Sequence, residues 1–499
     1  MAPNKSVAMT FLPEGQSLAA SSEAVTTLVG PAMPGATKVT TDPFTGQALS
    51  AASPALAPVT ATSIAAAAGT ALSPMAPAPA PLSASGATSL ASTVPIAATS
   101  TAAGAAAAPT DAVGTYIVFL DQIQGADPAN TARRVDAVLR SLGASGKPAE
   151  VYGYLNGFSI RLTATEANRL RALGGVQSVE ADSQVRLVDP VRSSPVVQDP
   201  ISGMALPSYS DQQTNTAETT PWGVQAVWNG KYTATTAATL GSGKYAFVID
   251  TGVSSKTSDL NVDTQRGYNW VNQSSNAEDD NGHGTHVSGT IGALVNNYGV
   301  VGVAPGTTII PLKVLDANGS GSLATVVSAV NYAVQMISAA GTGVTGANAV
   351  ANLSLGAKSA TFKSLDTAIY NASKAGLRFS IAAGNNGSDV DGFTPARTGD
   401  DPNVYTVSAV DNAYKMASWS NWDKLSGGDK VDNVDFATPG VNVLSLSHTP
   451  GSLAVMSGTS MASPHMAGLV LISDASNPLV RTDFATPYFS GTADPIAHL

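Results

Sequence analysis

The sequence contains no cysteine among its 499 residues, which excludes disulfide bonds, catalysis by a thiolate and zinc sites built from cysteine. Charged residues make up only 12% of the chain and aromatic residues 6%. The 25 basic residues are outnumbered by 35 acidic ones, so the net charge is −10. A protein that binds nucleic acid or anionic membranes would normally carry a basic surface. We therefore expect neither partner, and a stability that depends on a large core or on bound cations.

Long apolar runs are also absent. No stretch of 18 or more apolar residues occurs, so no transmembrane helix is predicted. Residues 43–110 contain no Asp, Glu, Lys or Arg and consist mainly of Ala, Pro, Ser and Thr. Such a segment cannot bury enough surface to offset the entropy of an ordered chain. We interpret residues 1–112 as a disordered leader, and an unusual targeting leader is the alternative.

The pattern changes after residue 112. A β-branched run (TYIVFL) is followed by a helical stretch that ends at a glycine and by two short strands around Asn156-Gly157. A second helix then starts near Thr163, and one strand (VQSVEADSQVRL) closes the unit. The order strand, helix, strand, strand, helix, strand predicts a small ferredoxin-like α+β domain over residues 113–188.

The rest of the chain divides into a linker and a larger domain. Residues 189–220 are polar and rich in proline, which predicts an exposed linker. Over residues 221–499, nearly continuous apolar strands (KYAFVID, TIIPLKVLD, NAVANLSLG and LRFSIAAG) alternate with helical stretches. Such strands are typical of a parallel sheet that is covered on both faces. The expected fold is a doubly wound, mostly parallel α/β domain with its site at the carboxyl ends of the strands.

Four segments carry residue types suited to acyl transfer. They contain Asp250 at the end of a strand (VIDTG), His283 before a helical stretch (NGHGTHVSGT), Asn385 after a strand (SIAAGNNG) and Ser460 at the start of a helix (SGTSMASPHMAG). A serine hydroxyl needs a base to take its proton, and histidine has a suitable pKa. An aspartate on the far ring nitrogen fixes the tautomer. An Asn side chain and a backbone N–H at a helix start would stabilise the oxyanion.

In this order, DTG, GHGTHVSG, AAGN and GTSMASPH resemble the four signatures of the subtilisin-like serine proteases. KVLDANGSGS, NLSLG and PWGV are most similar to the proteinase K branch, and residues 115–188 resemble the inhibitory propeptide of the family. The resemblance implies a serine endopeptidase with a subtilisin-like catalytic domain. It implies that Asp250 orients the base His283, that Ser460 is the nucleophile, and that Asn385 and the Ser460 N–H stabilise the oxyanion.

The resemblance also implies a zymogen. Residues 113–188 would act as an intramolecular chaperone and inhibitor, with their C-terminal end in the substrate cleft like a product. Cleavage within residues 189–220 would release a mature enzyme that starts just before Thr220. We expect protein or peptide substrates, a monomer and an extracellular or cell-surface location, although residues 1–20 show no clear signal peptide.

Two segments resemble the strands that flank the substrate in the family, and a peptide would add between them as an extra strand. The implied substrate-binding residues are Gly319, Ser320, Gly321, Ser322, Ser354, Leu355, Gly356, Ala382, Ala383 and Gly384. The last five would line the primary pocket, and they are small or apolar. We therefore predict a preference for apolar or aromatic side chains. The glycines could instead serve only tight turns.

No cofactor is expected for the chemistry, but the resemblance implies a structural calcium ion. Its ligands would be the carbonyls of Pro402 and Val404 and the carboxylate of Asp435. Asp435 could instead be a solvated loop acid. We interpret the acidic run Glu278-Asp279-Asp280 as a solvated loop.

Simpler interpretations of single residues also exist. Asp250 could be an ordinary strand-end carboxylate, and Ser460 could be only the N-cap of its helix. We expect Pro464 to lie in the first turn of that helix, where no N–H is needed. His465 is expected to be a packed helix residue.

Three other functions stay open at this point. The chain could be a non-catalytic binding protein on the same scaffold, or a metallohydrolase that uses His283 and His286. We assign His286 instead to a structural hydrogen bond. A sedolisin-like acid peptidase would use a glutamate base, which the GHGTH motif disfavours.

Overall fold

The computed structural model describes residues 111–122, 127–143, 147–188, 213–214, 217–359, 362–424, 432–475, 478–480, 483–486 and 493–499. The predicted disordered leader, apart from its last two positions, and most of the predicted linker lie outside these residues. Among the described helices, none combines the length and the apolar character needed to cross a membrane.

The secondary structure alternates between strands and helices. The strands are β1 (Val113–Leu120), β2 (Glu150–Tyr152), β3 (Gly157–Thr163), β4 (Val176–Ala181), β5 (Gln184–Leu187), β6 (Gln213–Thr214), β7 (Tyr245–Asp250), β8 (Asn261–Val262), β9 (Tyr268–Asn269), β10 (Thr308–Lys313), β11 (Ser320–Ser322), β12 (Ala349–Leu353), β13 (Leu355–Lys358), β14 (Phe379–Ala382), β15 (Phe393–Thr394), β16 (Val404–Val410), β17 (Phe436–Pro439), β18 (Val443–Leu446) and β19 (Ser452–Met456). The helices are α1 (Pro128–Leu142), α2 (Ala164–Arg171), α3 (Trp222–Trp228), α4 (Ala234–Ala237), α5 (His283–Gly292), α6 (Leu323–Ser338), α7 (Ser364–Lys374) and α8 (Thr459–Ile472), with two 3₁₀ turns at Val390–Gly392 and Ala396–Thr398.

The first folded part is an antiparallel sheet in the order β2-β3-β1-β4, against which α1 and α2 pack. The helix ends follow local sequence signals. Asp127 caps α1, Gly143 ends it in the left-handed conformation, and Thr163 with Glu166 forms a capping box on α2. The predicted ferredoxin-like order is confirmed.

The predicted closing strand is wrong in one respect, because it divides into β4 and β5. β4 completes the small sheet, whereas β5 pairs with β11 and β13. The chain turns between them at Asp182 and Ser183, whose oxygens accept the N–H groups of Ala324 and Leu323 at the start of α6. The unpaired N–H groups of a helix start therefore redirect the strand.

The larger part is built on a parallel sheet in the order β17-β16-β14-β12-β7-β10-β8, with β9 beside β10. One apolar core includes residues of α5 and α8, and a second includes residues of α6 and α7. The doubly wound α/β prediction is confirmed. Because the strands are parallel, residues that follow β7 and β14 meet at the same edge of the sheet.

Candidate active site

Asp250 and His283 form a buried pair at this edge. Asp250 is the last residue of β7, and His283 is the first residue of α5. The Nδ1 atom of His283 lies 2.8 Å from Oδ1 and 3.0 Å from Oδ2 of Asp250. The side chain of Asp250 is fully buried, so this pair is not an ordinary solvated strand end. The Nε2 atom of His283 has no hydrogen-bond partner within the described part of the chain.

The prediction that the acidic run before His283 is a solvated loop is wrong for Asp279. Asp279 is only 7% exposed. Its carboxylate accepts hydrogen bonds of 2.6–3.0 Å from the side chains of Thr251 and Thr285 and from the N–H groups of Asn281, Gly282 and Thr285. It therefore joins the end of β7 to the start of α5. The tight turn that Asp-Asn-Gly predicts after Asp279 is the sequence signal that could have identified it.

Ser460 is the second residue of α8, and Gly458 is the N-cap. The N-cap interpretation of Ser460 is therefore wrong. Its Oγ atom donates a hydrogen bond of 2.8 Å to the carbonyl oxygen of Val188 and lies 3.3 Å from that of Ser354. The backbone N–H of Ser460 is among the first of the helix, which have no acceptor within the helix and lie at the positive end of its dipole.

Pro464 is the sixth residue of α8, so the prediction that it lies in the first turn is wrong. A proline at this position cannot donate to the carbonyl four residues earlier, which is that of Ser460. The Ser460 carbonyl instead accepts the hydroxyl of Ser354 at 3.0 Å. Because Pro464 leaves the Ser460 carbonyl without its usual donor in the helix, the segment between β12 and β13 can hydrogen-bond to α8 through Ser354.

Asn385 follows β14 by three residues. Its Oδ1 atom accepts both the N–H and the hydroxyl of Thr459 at 2.9 Å. Because Thr459 immediately precedes Ser460, the amide of Asn385 is held beside the start of α8. The oxygen is engaged by Thr459, so the amide nitrogen is the end that can donate to an oxyanion.

β5 lies between the two predicted substrate-binding segments. It pairs antiparallel with β11 through Gln184, Val185 and Arg186, and with β13 through Arg186 and Leu187. The N–H of Leu187 donates to the carbonyl of Gly319 at 2.9 Å, and that of Val188 reaches the carbonyl of Ser354 at 3.3 Å. A segment of this chain therefore occupies the strand position that was predicted for a substrate.

A cavity of about 580 Å³ opens beside Val188. All five predicted pocket residues line it, namely Leu355, Gly356, Ala382, Ala383 and Gly384. Phe393 and Ala396 add further apolar surface, and Lys358 is the one charged side chain that the peptidase part contributes among the described lining residues. The predicted residues Gly319–Ser322 lie on the opposite side of β5, where they form or adjoin β11.

Two other histidines near the site, His286 and His465, are structural, as predicted. The Nε2 atom of His286 lies 3.1 Å and 3.2 Å from the carbonyl oxygens of Val443 and Ala454. Complete burial lowers the pKa of His286 to about 3, and the nearby His283 adds to this effect. His465 is also buried, and burial lowers its pKa to about 4. The Nε2 atom of His286 thus faces two backbone carbonyls, as expected for the predicted structural hydrogen bond.

The residues predicted to hold calcium lie near the start of β16. Val404 is its first residue, and Pro402 lies two residues earlier. The Oδ2 atom of Asp435 accepts the N–H of Thr406 at 2.9 Å, so its carboxylate lies beside this strand. The donor set consists only of oxygens, which fits a hard cation.

Comparisons with known proteins agree with this geometry. The subtilase family model matches residues 241–483, and the peptidase inhibitor I9 model matches residues 115–188. The extracellular serine proteinase of Thermus sp. strain Rt41A is 32% identical over 66% of this chain and 69% of its own length. M-protease of Shouchella clausii is 33% identical over 70% of this chain and 88% of its own.

The solved structures add a likeness in fold. Fervidolysin from Fervidobacterium pennivorans, described as a keratinolytic enzyme related to subtilisin, is 23% identical. The match has a TM-score of 0.53 and covers 74% of this chain and 55% of fervidolysin. Taken with the sequence relatives, these findings identify the chain as a member of the subtilase family, a serine endopeptidase with an I9-type propeptide domain.

Proposed function

We propose that this subtilase is made as a zymogen and cleaves itself between Val188 and Asp189, with Ser460 as nucleophile, His283 as base and Asp250 as the group that orients the base. One observation carries the proposal. The Ser460 hydroxyl lies 2.8 Å from the carbonyl oxygen of Val188, in a cleft where β5 is already paired on both sides like a bound peptide.

The chemistry follows from this arrangement. Rotation of the Ser460 side chain would bring its hydroxyl to Nε2 of His283, which takes the proton as Oγ bonds to the carbonyl carbon of Val188. The tetrahedral adduct then expels the amine of Asp189, which receives the proton from His283. Water hydrolyses the resulting Val188 ester with the same base. The buried carboxylate of Asp250 stabilises the imidazolium that forms in each step.

The oxyanion needs donors that are already in position. The Nδ2 group of Asn385 and the N–H of Ser460 are suited to this role, because Thr459 holds the amide oxygen of Asn385. In a subtilisin, which is a relative of this chain, removing one side-chain donor to the oxyanion costs about 3–4 kcal/mol of transition-state stabilisation. We expect a loss of the same order when Asn385 is removed.

Inhibition follows from the contacts that keep β5 in the cleft. Both carboxylate oxygens of Glu180 accept N–H groups at the start of α7, from Lys363 and Ser364, at 2.6 Å. Asp182 accepts the N–H of Ala324 at the start of α6 at 3.0 Å. These acids satisfy helix N-termini that would otherwise face solvent, so they hold the propeptide on the peptidase part.

The sequence predicts a mature enzyme that starts just before Thr220. The position of Val188 favours a first cut at Val188–Asp189, and later trimming towards Thr220 stays a prediction. Glu218 accepts the N–H groups of Asn296 and Asn297 at 2.6 Å and 2.8 Å. Trimming as far as Thr220 would therefore remove contacts of the peptidase part.

Side-chain preference at the cut follows from the cavity beside Val188. Its lining is mostly small or apolar, and no carboxylate occurs among the described lining residues. We therefore propose a preference for apolar or aromatic residues before the cleaved bond. We also propose secretion to the cell exterior and membership of the proteinase K branch, which the KVLDANGSGS, NLSLG and PWGV segments support.

The decisive experiment compares the wild type with Ser460→Ala by intact mass and N-terminal sequencing. We expect a wild-type fragment that begins at Asp189 and a Ser460→Ala chain that stays uncut. Ser473→Ala, just after the same helix, is the matched control and should mature normally. Equal processing of the wild type and Ser460→Ala would assign the cut to another protease and contradict the proposal.

Variants of Val188 test the side-chain preference separately. Val188→Phe should mature at a rate similar to the wild type. Val188→Lys should mature at least tenfold more slowly, because the described cavity lining contains no carboxylate to pair with a buried ammonium group. Similar rates for both variants would contradict the proposed preference and leave the assignment of Ser460 intact.

A further inference from the structure

We infer that Asp389, Asp391 and Asp423 form a calcium site that is separate from the one predicted at Asp435. Each of the three residues offers a carboxylate oxygen, and these oxygens lie within 4.8 Å of one another. Asp389 is the N-cap of the 3₁₀ turn Val390–Gly392, which follows Asn385 by a few residues, and Asp391 lies within that turn. Asp423 comes from a loop after β16. The three acids therefore come together from two segments that are far apart in the chain. Acidic residues that only face solvent have no need of such an arrangement.

Two buried oxygens at this point have no donor. Asp423 is 2% exposed, and its Oδ1 atom has no hydrogen-bond partner in the described chain. Asn433 is 6% exposed, and its amide oxygen also has no partner there. The amide nitrogen of Asn433 donates to Asp391 at 3.0 Å, so this amide lies at the acidic group. A buried acceptor without a donor is costly, and a cation would satisfy both oxygens.

The spacing of the oxygens matches a calcium ion. Ca²⁺ binds oxygen at about 2.3–2.6 Å, so two ligands on opposite sides of one ion are about 4.6–5.2 Å apart. Oxygens that all lie within 4.8 Å of one another can therefore share a single ion. Calcium also accepts irregular sets of carboxylate and amide oxygens, whereas magnesium demands a near-ideal octahedron.

Arg397 lies beside this segment, and its Nη1 atom donates to the backbone carbonyl of Asp391 at 3.2 Å. Its Nε atom is paired with the carboxylate of Asp366 at 2.7 Å. Three like charges in a partly buried group repel one another, and a divalent ion would remove this repulsion.

The ion would connect two loops that already lie side by side. The N–H of Val390 donates to the carbonyl of Trp422 at 3.0 Å, and Oδ1 of Asn421 accepts the N–H groups of Asn386 and Ser388. Calcium would therefore stabilise the loop that begins at the oxyanion residue Asn385, and this role does not depend on whether Ser460 is active.

The test uses the full chain with Ser460→Ala, which avoids self-digestion. After removal of metal with a chelator, bound calcium is counted by equilibrium dialysis. The variants Asp389→Asn and Asp423→Asn should each lose one equivalent or bind it at least tenfold more weakly. Asp411→Asn is the matched control, because Asp411 accepts the N–H two residues later as Asp389 does. It should bind as much calcium as the parent.

A double variant separates the two sites. Asp423→Asn combined with Asp435→Asn should lose more calcium than either change alone. If Asp423→Asn fails to fold, Asp389→Asn decides the result, since Asp389 is partly exposed. Unchanged stoichiometry and affinity in Asp389→Asn, or the loss of all calcium in Asp435→Asn alone, would overturn the inference.

Discussion

Two acidic turns, one before His283 and one after Asn385, satisfy their carboxylates in opposite ways. Before His283, the carboxylate of Asp279 accepts five hydrogen bonds from its own turn, from α5 and from the end of β7. After Asn385, Asp389 and Asp391 meet Asp423, which keeps a buried oxygen without a donor in the described chain. The two turns therefore differ in how many hydrogen-bond donors lie next to each carboxylate, and not in how many acidic residues they contain.

The difference arises from what each turn faces. The turn at Asp279 precedes a helix, and the first N–H groups of a helix need acceptors. The turn at Asp389 instead faces another loop, which contributes a further carboxylate and an amide oxygen. The Oδ1 atom of Asp423 and the amide oxygen of Asn433 have no donor within the described chain, and the proposed calcium ion would satisfy both.

The largest expected effect comes from removing the well-satisfied acid. Asp279→Ala leaves several buried donors without an acceptor, and hydrogen bonds to a charged group contribute about 1.5–3 kcal/mol each. We expect the free energy of unfolding to fall by about 3 kcal/mol or more, measured by urea denaturation in the Ser460→Ala chain. In the active chain, maturation should be abolished. A loss below about 1 kcal/mol would show that Asp279 does not hold α5 to β7.

The second prediction concerns Asp423, whose substitution should change the free energy of unfolding in a direction that depends on calcium. Without calcium, Asp423→Asn should leave stability unchanged or raise it, because it removes repulsion between like charges. With calcium at 100 times its dissociation constant, the parent should gain about 2.7 kcal/mol that this variant lacks. The thermal midpoint with and without calcium measures both effects. If Asp423→Asn is destabilising without calcium, then the protein itself satisfies the Asp423 carboxylate, as it does that of Asp279.

The pH dependence of stability extends the comparison to a buried base on α5. The pKa of His286 is lowered from 6.5 to about 3 by burial, so the unfolded chain binds this proton well before the folded chain does. Stability should therefore fall as the pH decreases from about 6.5 towards 3. His286→Gln should reduce this slope. The free energy of unfolding is measured by denaturation at several pH values. An equal dependence on pH in the wild type and His286→Gln would contradict the lowered pKa of His286.

The smallest effect is expected next to Asp279. The side chain of Asp280 is 53% exposed and pairs with Lys313 at 2.6 Å. Lys313 is only 3% exposed, but its ammonium group also donates to the carbonyls of Thr251 and Leu315. An asparagine oxygen can still accept the remaining hydrogen bond, and the exposed carboxylate itself contributes only about 0–1 kcal/mol. Asp280→Asn should therefore cost less than about 1 kcal/mol in the same denaturation assay. If Asp280→Asn lowers the free energy of unfolding as much as Asp279→Ala does, then both carboxylates, and not Asp279 alone, fix the position of α5.

Much of the fold and the candidate site was predictable because the signals are local. Apolar strands identified the parallel sheet, and capping residues such as Thr163 marked helix ends. The local motifs identified Asp250 and His283, which the structure pairs, and Asn385, which it holds beside Ser460 through Thr459. The roles of Pro464 and Asp279 were not predicted, because each depends on which distant donor or acceptor lies opposite.

The sequence by itself determined the residue types available for acyl transfer, the order of strands and helices, and the presence of a propeptide-like unit. Tertiary structure alone decided that β5 leaves its own sheet and enters the cleft, with the carbonyl of Val188 beside Ser460. It also decided which buried acids are satisfied by N–H groups and which are not. The physical reason is that periodicity and capping act within a few residues, whereas hydrogen-bond satisfaction depends on groups that lie far apart in the chain.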